Sequence, residues 1–318
     1  MNSSVRLAPR DWTLLVFLTL VWGVNWPIMK TGVTGFPPLA FRTASMWLGL
    51  PVLAAVLLVL RVPFRIARRD WRELLSLTLS NMLVWHLVAI VSIQQLSSGR
   101  AAILGYTMPI FSAVIGAAVF GERLAARQMA GVVACTGAVG LLLWHEFAAL
   151  GGQPLAAFGM LLAAAVWGYG TQRMRRTTIE APTLAIGFWM TVVTTLVMTV
   201  ATMLFERDRW ALPGDAAAAA ILFNALLIFG FAQPVWLILA RRLPPIASSM
   251  SIMLIPVLGV ASGAWFLSER LYWQDGAAIV LIVLAIALVL WRGADSGAPA
   301  ADPRADQQAG QRADQRAD

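Results

Sequence analysis

Long apolar segments separated by short polar connections dominate the chain. A bilayer core needs about 20 apolar residues per helix, within a usual range of about 17 to 25. Ten segments meet this requirement: 12–30, 39–60, 73–94, 98–120, 127–145, 155–173, 182–204, 216–239, 244–267 and 274–291. The pattern predicts an all-α integral membrane protein with ten transmembrane helices. Because every connection is short, the function must be carried out among the helices.

The two halves of the chain repeat one another. YTMPIFSAVIGAAVFGERL, residues 106–124, aligns without gaps on MLIPVLGVASGAWFLSERL, residues 253–271, at an offset of 147 residues. A repeat with an odd number of spans crosses the membrane in the direction opposite to its twin, so we expect two inverted five-helix repeats. Exchanging the conformations of such repeats converts an inward-open state into an outward-open one. The predicted repeats are residues 12–145 and 155–291.

Charge sets the expected orientation. The net charge of +8 would suggest a nucleic-acid partner in a soluble protein, but 59% of this chain is hydrophobic and its arginines lie between apolar segments, so we expect none. Fourteen basic residues flank one side of the spans and six the other. The six are Lys30, Arg42, Arg100, Arg207, Arg209 and Arg270. The positive-inside rule then places both termini in the cytoplasm, residues 1–11 and the low-complexity tail 292–318, which we expect to be disordered.

The titratable residues exclude several kinds of site. All sixteen acidic residues lie at span ends, in connections or in the tail, so no embedded carboxylate is predicted for proton coupling or for calcium or magnesium. Cys135 is the single cysteine, which excludes an intrachain disulfide and a cysteine-based metal cluster. We therefore expect no cofactor and no bound metal.

His86 is the titratable residue that lies well inside a span, and the offset of 147 pairs it with Gln233. An intramembrane histidine either bonds a neighbouring helix in its neutral form or acts on substrate or protons. Pro109 and Pro256 fall at matching points of the fourth and ninth spans. Paired interruptions indicate a midplane site, and simple kinks are the alternative interpretation.

Amide and aromatic residues at similar depths complete a predicted substrate cavity. Its lining comprises Asn25, Trp26, Trp85, His86, Tyr106, Trp167, Tyr169, Gln233, Trp236 and Ser249, with helix breaks at Pro27, Pro109, Pro234 and Pro256. Aromatic faces and amides suit a small amphipathic or zwitterionic solute. Core packing is the alternative for any single aromatic residue.

Charges at the span ends suggest a gate. Lys30 and Glu269 end the first and ninth spans on one side, and their repeat partners Arg175 and Glu122 end the sixth and fourth on the other. We predict that Lys30–Glu269 and Arg175–Glu122 are alternate gate latches. The alternative is that the glutamates cap loops or pair with adjacent arginines, since exposed ion pairs contribute only about 0 to 1 kcal/mol.

Three features together resemble the EamA-like branch of the drug/metabolite transporter superfamily. They are VWGVNWPIMK in the first span, P-x12-E-R-L in the fourth and ninth, and ten spans arranged as five plus five. The resemblance covers about residues 11–292. It implies a bacterial inner-membrane carrier, often an exporter of amino acids or related metabolites, with a cavity between the repeats. Small multidrug-resistance relatives carry a membrane-embedded glutamate in the first span, and this chain has none there.

We therefore expect an alternating-access carrier that exports or exchanges a small metabolite, with an amino acid or amino-acid derivative as the first expectation. The expected partners are this solute and the lipid bilayer, with the chain as a monomer or homodimer. Nucleosides, sugars and drugs are alternative solutes. A polytopic membrane enzyme would need a nucleophile–base pair or a metal cluster at membrane depth, and a channel would need charge rings or a carbonyl filter.

Overall fold

The computed structural model describes residues 9–148, 152–239 and 245–290, so the predicted tail and residues 1–8 lie outside the described residues. Across these ranges the chain forms ten long helices. They are α1 (Pro9–Thr34), α2 (Pro38–Val59), α3 (Arg68–Gln95), α4 (Ser98–Phe120), α5 (Ala126–Ala148), α6 (Pro154–Met174), α7 (Thr183–Phe205), α8 in three consecutive stretches (Asp215–Phe223, Asn224–Ala232 and Gln233–Leu239), α9 (Pro245–Leu267) and α10 (Trp273–Leu290).

Eight of these helices, α1 to α8, are long and apolar enough to cross a membrane. The last two contain shorter apolar helices, Ile252–Leu267 and Trp273–Val289. Large apolar side chains also point away from the bundle, and Leu204 and Trp265 are 69% and 83% exposed. Such surfaces match hydrocarbon better than water. The prediction of a multi-pass all-α membrane protein is confirmed.

The helices pack in a regular set of pairs. Helix α1 packs on α9 and α4 packs on α6; α2 packs on α8 and α3 packs on α7; α5 packs on α10. If each helix is replaced by the helix five places away in the chain, the α1–α9 pair becomes the α6–α4 pair, and the α2–α8 pair becomes the α7–α3 pair. The packing thus puts α1, α2, α3 and α4 of the first half against helices of the second half rather than into a bundle of their own.

Helices α3 and α8 each contain π-helical turns. In α3 they span Leu79–Leu83 and Trp85–Ala89, and in α8 they span Asn224–Ala232. A π turn closes its hydrogen bonds over five residues instead of four, which widens the helix and often marks a functional site. At the offset of 147 residues, the π-helical region 79–89 of α3 corresponds to residues 226–236 of α8. Helices α3 and α8 therefore have π turns at corresponding positions of the two halves.

The prolines correct the expectation of paired helix breaks. Helix α4 is interrupted, since its first part ends at Gly105 and its second begins at Met108, directly before Pro109. Helices α1 and α9 continue through Pro27 and Pro256 without interruption. A proline removes one backbone hydrogen bond, and packing in a membrane bundle tolerates this loss. Pro234 is the second residue of the stretch that follows the π turns of α8.

Helices α4 and α9 end in the same way. Gly121 has φ of 70° and Ser268, which corresponds to it at the 147-residue offset, has φ of 52°. The next backbone N–H, of Glu122 or Glu269, donates to the carbonyl six residues earlier, at 3.0 and 3.4 Å. Both helices thus end at a residue in the left-handed conformation, which is common at helix C-termini. This conformation directs the carboxylates of Glu122 and Glu269 back over Gly116 and Gly263, where a Cβ would collide with them or their partners.

Candidate functional site

A small cavity lies between α1, α2 and α3. Its lining consists of Trp26, Met29, Arg42, Trp85, His86, Ala89, Ile90 and Ile93. Its volume is about 10 Å³. A cavity of roughly 10 to 15 Å³ is the minimum for one water molecule. Helices must therefore separate before a metabolite can enter.

Four predicted aromatic residues form one cluster at this cavity. The ring centroid of Trp26 lies 6.5 Å from that of Trp85 and 6.2 Å from that of Tyr106, and Trp85 lies 5.2 Å from Trp167. All three contacts are edge-to-face, the arrangement that aromatic quadrupoles favour. The cluster joins α1, α3, α4 and α6, so aromatic faces from both halves of the chain meet there.

Several buried polar atoms near the helix centres have no hydrogen-bond partner in the described part of the chain. They include both ring nitrogens of His86, Oδ1 of Asn25 and Oε1 of Gln233. The His86 ring also lies 5.7 Å from the ring of Phe229. A buried polar group without a partner costs about 1 to 3 kcal/mol, so such groups in native proteins call for a reason, such as a ligand or water.

Of the ten predicted lining residues, Trp26, Trp85 and His86 line this cavity. Trp236 and Tyr169 are the two whose aromatic partners lie outside the cluster. Trp236 packs against Trp22 at 5.5 Å, and Tyr169 stacks on Phe120 at 6.2 Å. Residues two apart on a helix point to different faces, and therefore Trp167 and Tyr169 cannot line the same surface. The side chain of Ser249 lies outside the described residues.

Arg42 is a site residue that the sequence analysis did not include in the predicted cavity. It falls within the predicted span 39–60 but was counted only as an orienting charge, and it lies in the first turns of α2 with 4% of its surface exposed. Its Nη1 donates to Oδ1 of Asn224 at 3.1 Å and its Nη2 to the sulfur of Met29 at 2.8 Å. Pro37 and Pro38 indicate this position in the sequence. Proline favours the first helical position, so a helix that begins at Pro38 contains Arg42.

We call the end of the bundle that contains Lys30 the Lys30 end. There Glu269 accepts hydrogen bonds from the N–H of Ser98 at 2.7 Å, the hydroxyl of Ser98 at 3.0 Å and the N–H of Gly99 at 3.2 Å. This carboxylate caps the N-terminus of α4, where the helix dipole also favours a negative charge. Lys30 Nζ donates to the carbonyls of Ile93 and Gln94, at 3.2 and 2.7 Å.

An ion pair reinforces the Lys30 end. Arg100 Nε and Nη2 donate to the two oxygens of Asp275 at 2.8 and 3.3 Å, and both side chains are mostly buried. The contact joins the first turn of α4 to the first turn of α10. Among the described residues, Lys30 forms no ion pair with Glu269, and that latch stays a prediction.

We call the opposite end, which contains Glu122, the Glu122 end. Glu122 Oε1 lies 2.6 Å from Nη2 of Arg176 and 3.7 Å from Nη1 of Arg175. The side chains of Arg175 and Glu122 are 59% and 34% exposed, so water screens this contact more than the Arg100–Asp275 pair. The neighbouring Gln172 amide donates to Glu122 Oε2 at 3.4 Å.

Both halves of the sequence match the family described as "EamA-like transporter family", over residues 12–144 and 154–291. The chain belongs to this family. A transporter of Bacillus subtilis, YoaV, is 27% identical over 81% of this chain and 88% of its own. A protein of Escherichia coli K12 named "Probable amino-acid metabolite efflux pump" is 24% identical over 91% of this chain and 98% of its own.

One crystal structure of another protein shares the fold of this EamA-like chain. It superposes with a TM-score of 0.64 at 18% sequence identity and covers 88% of this chain and 96% of its own. At this identity the similarity concerns the fold alone. Among the described residues, no group of three or more His, Cys, Asp or Glu side chains could hold a metal ion.

Proposed function

We propose that this EamA-like protein is an alternating-access carrier of a bacterial inner membrane. It exports or exchanges a small metabolite, an amino acid or an amino-acid derivative, and both of its termini are cytoplasmic. In this orientation the Lys30 end faces outward and the Glu122 end faces the cytoplasm. Family membership establishes a membrane transporter, and the substrate and mechanism are the proposed part.

The cavity between α1, α2 and α3 is the observation that carries the proposal. It brings aromatic faces together with the unpartnered nitrogens of His86, inside a bundle whose outer surface suits lipid. Concave sites with apolar walls and a few polar groups are typical of small-molecule binding. The name of the Escherichia coli relative supports an amino-acid metabolite as the solute.

Two features support two inverted five-helix repeats as the basis of alternating access. First, replacing each helix by the one five places away in the chain converts the α1–α9 pair into α6–α4 and the α2–α8 pair into α7–α3. Second, the ends of α4 and α9 share one backbone conformation at positions 147 residues apart. Repeats that can adopt each other's conformations open a shared cavity to one side at a time.

Counterflow into proteoliposomes tests the proposal. Purified protein is reconstituted, each amino acid is loaded inside, and uptake of the labelled amino acid is measured against protein-free liposomes. We expect saturable counterflow, reduced at least tenfold by Trp85→Ala and unchanged by Trp144→Ala, because Trp144 is 71% exposed on α5 and lies outside the cavity lining.

Two results would contradict the proposal. A flux that rises linearly with concentration and shows no counterflow would indicate a channel. Counterflow confined to nucleosides, sugars or cationic drugs would retain the carrier mechanism and overturn the amino-acid assignment.

A further inference from the structure

Arg42 is a buried cation without a counter-ion. A guanidinium stays protonated in proteins, and burying it without a carboxylate is unfavourable. Its two hydrogen-bond acceptors, the amide of Asn224 and the thioether of Met29, are both neutral, and its Nε has no partner. In the described part of the chain no carboxylate lies within ion-pairing distance of Arg42.

Arg100, a mostly buried arginine, has an acidic partner. Arg100 faces Asp275 through two hydrogen bonds, the arrangement that compensates a buried charge. Glu206 is the carboxylate at the N-terminus of α2, one turn from Arg42, but it accepts from the backbone N–H groups of Leu39 and Ala40 instead. Among the described residues, Arg42 therefore lacks the acid that Arg100 has.

Arg42 also lines the cavity, beside His86, Trp26 and Trp85. An anion that entered the cavity would provide the acceptor that the protein does not. A carboxylate matches the planar fork of a guanidinium, and a single negative charge balances a single arginine. A phosphate monoester carries about 1.5 to 2 negative charges near pH 7 and would call for a second fixed cation, and Arg42 is the one Lys or Arg in the lining.

We propose that Arg42 binds the carboxylate of the transported solute, so that this carrier selects carboxylate-bearing metabolites, with the remainder of the solute on the faces of Trp26 and Trp85. The inference rests on the proposed transport function and deepens it: the carboxylate, rather than the amino group, is the group that the site recognises.

Matched solutes test the selectivity. Counterflow and thermal stabilisation of the wild-type protein are measured with the twenty amino acids and with benzoate and 3-phenylpropionate. The same measurements are made with the carboxamides and decarboxylated amines of the amino acids, with glucose 6-phosphate and with uridine. We expect carboxylates to be transported at the lowest half-saturation concentrations, and conversion to the carboxamide to raise the half-saturation concentration at least about 30-fold.

Saturable transport of a carboxamide, an amine, the phosphate ester or uridine at a half-saturation concentration comparable to that of the carboxylates overturns the inference and leaves the carrier mechanism standing. Absence of counterflow and of stabilisation across the whole panel overturns both proposals.

Variants separate binding from a structural role. In Arg42→Met the thermal midpoint should stay unchanged or rise, because an unpaired buried charge is replaced by apolar packing, while carboxylate transport is lost. Arg42→Lys should transport with a half-saturation concentration at least tenfold higher, because an ammonium group lacks the planar pair of donors with which a guanidinium binds a carboxylate. Arg209→Gln, at an exposed arginine of the segment after α7, is the control and should match wild type.

A large fall of the thermal midpoint in Arg42→Met, or full transport by it, would show that Arg42 holds helices together and does not bind the solute.

Discussion

Replacing Glu269 with glutamine tests what keeps the Lys30 end closed. The carboxylate of Glu269 receives three hydrogen bonds from Ser98 and Gly99 at the start of α4. Glutamine keeps the size of the side chain and one acceptor oxygen, and it removes the negative charge. Because Glu269 follows α9 and its partners begin α4, this change weakens a contact between the two halves of the chain.

The magnitude follows from the geometry. Loss of an N-terminal cap costs about 0.5 to 2 kcal/mol, and the interaction of a charge with the helix dipole contributes about 0.3 to 1 kcal/mol. A loss of about 1.4 kcal/mol lowers the ratio of closed to open Lys30 ends about tenfold. We expect the open population to rise by this factor in Glu269→Gln.

Thiol labelling measures this population. Cys135, which is buried, is replaced by alanine, and Ala89 in the cavity lining becomes the reporter cysteine. A membrane-impermeant maleimide is added from the outer side, and the labelling rate is compared with and without Glu269→Gln. We expect the rate to increase about tenfold.

A second variant, Gly263→Ala, disturbs the contact between Glu269 and Ser98 without removing the charge of Glu269. A Cβ at Gly263 would overlap the Ser98 hydroxyl and lie 2.6 Å from Oε2 of Glu269, so Gly263→Ala must displace the carboxylate. Gly137→Ala is the control, since its Cβ would meet only Leu281 Cδ1, at 3.6 Å. Equal labelling rates in wild type, Glu269→Gln and Gly263→Ala would refute the reasoning.

Other contacts lead to further predictions. Arg100→Gln and Asp275→Asn should each destabilise the protein by about 3 to 5 kcal/mol in detergent, because each single variant leaves a mostly buried charge unpaired. The double variant should be less destabilised than either single one, and additive losses of thermal stability would contradict the pairing. Glu122→Gln should change stability by at most about 1 kcal/mol, since its contacts with Arg175 and Arg176 are partly exposed. A larger shift in the thermal midpoint would show that this contact is stronger than its exposure indicates.

The sequence predicted the helices well, since hydrophobic length alone determines a membrane span. The predicted fourth span 98–120 coincides with α4, and the ninth, 244–267, differs from α9 by one residue at its start. The aromatic cluster of Trp26, Trp85, Tyr106 and Trp167 was also predictable, because its members lie at similar depth. Trp236 and Tyr169 were not, since depth gives no information about the face on which a side chain lies.

Two other features were hidden for physical reasons. The π turns of α3 and α8 were not predicted, because hydrophobic length and composition do not distinguish a π turn from an α-helical one. Arg42 lay within the predicted span 39–60, but it was counted only as an orienting charge because the rule counts every arginine near a span end. A charge count cannot tell whether such a side chain faces the membrane surface or the interior of the bundle.

The Arg100–Asp275 pair has no counterpart in the other half. The offset of 147 residues places Ala247 and Gln128 at the corresponding positions, and neither can carry a charge. The Lys30 end therefore has a mostly buried ion pair that the matching positions of the Glu122 end cannot form, and we expect the unloaded carrier to favour a shut Lys30 end. In the proposed orientation such an empty carrier would wait with its binding site toward the cytoplasm, where a cell that exports a metabolite produces it.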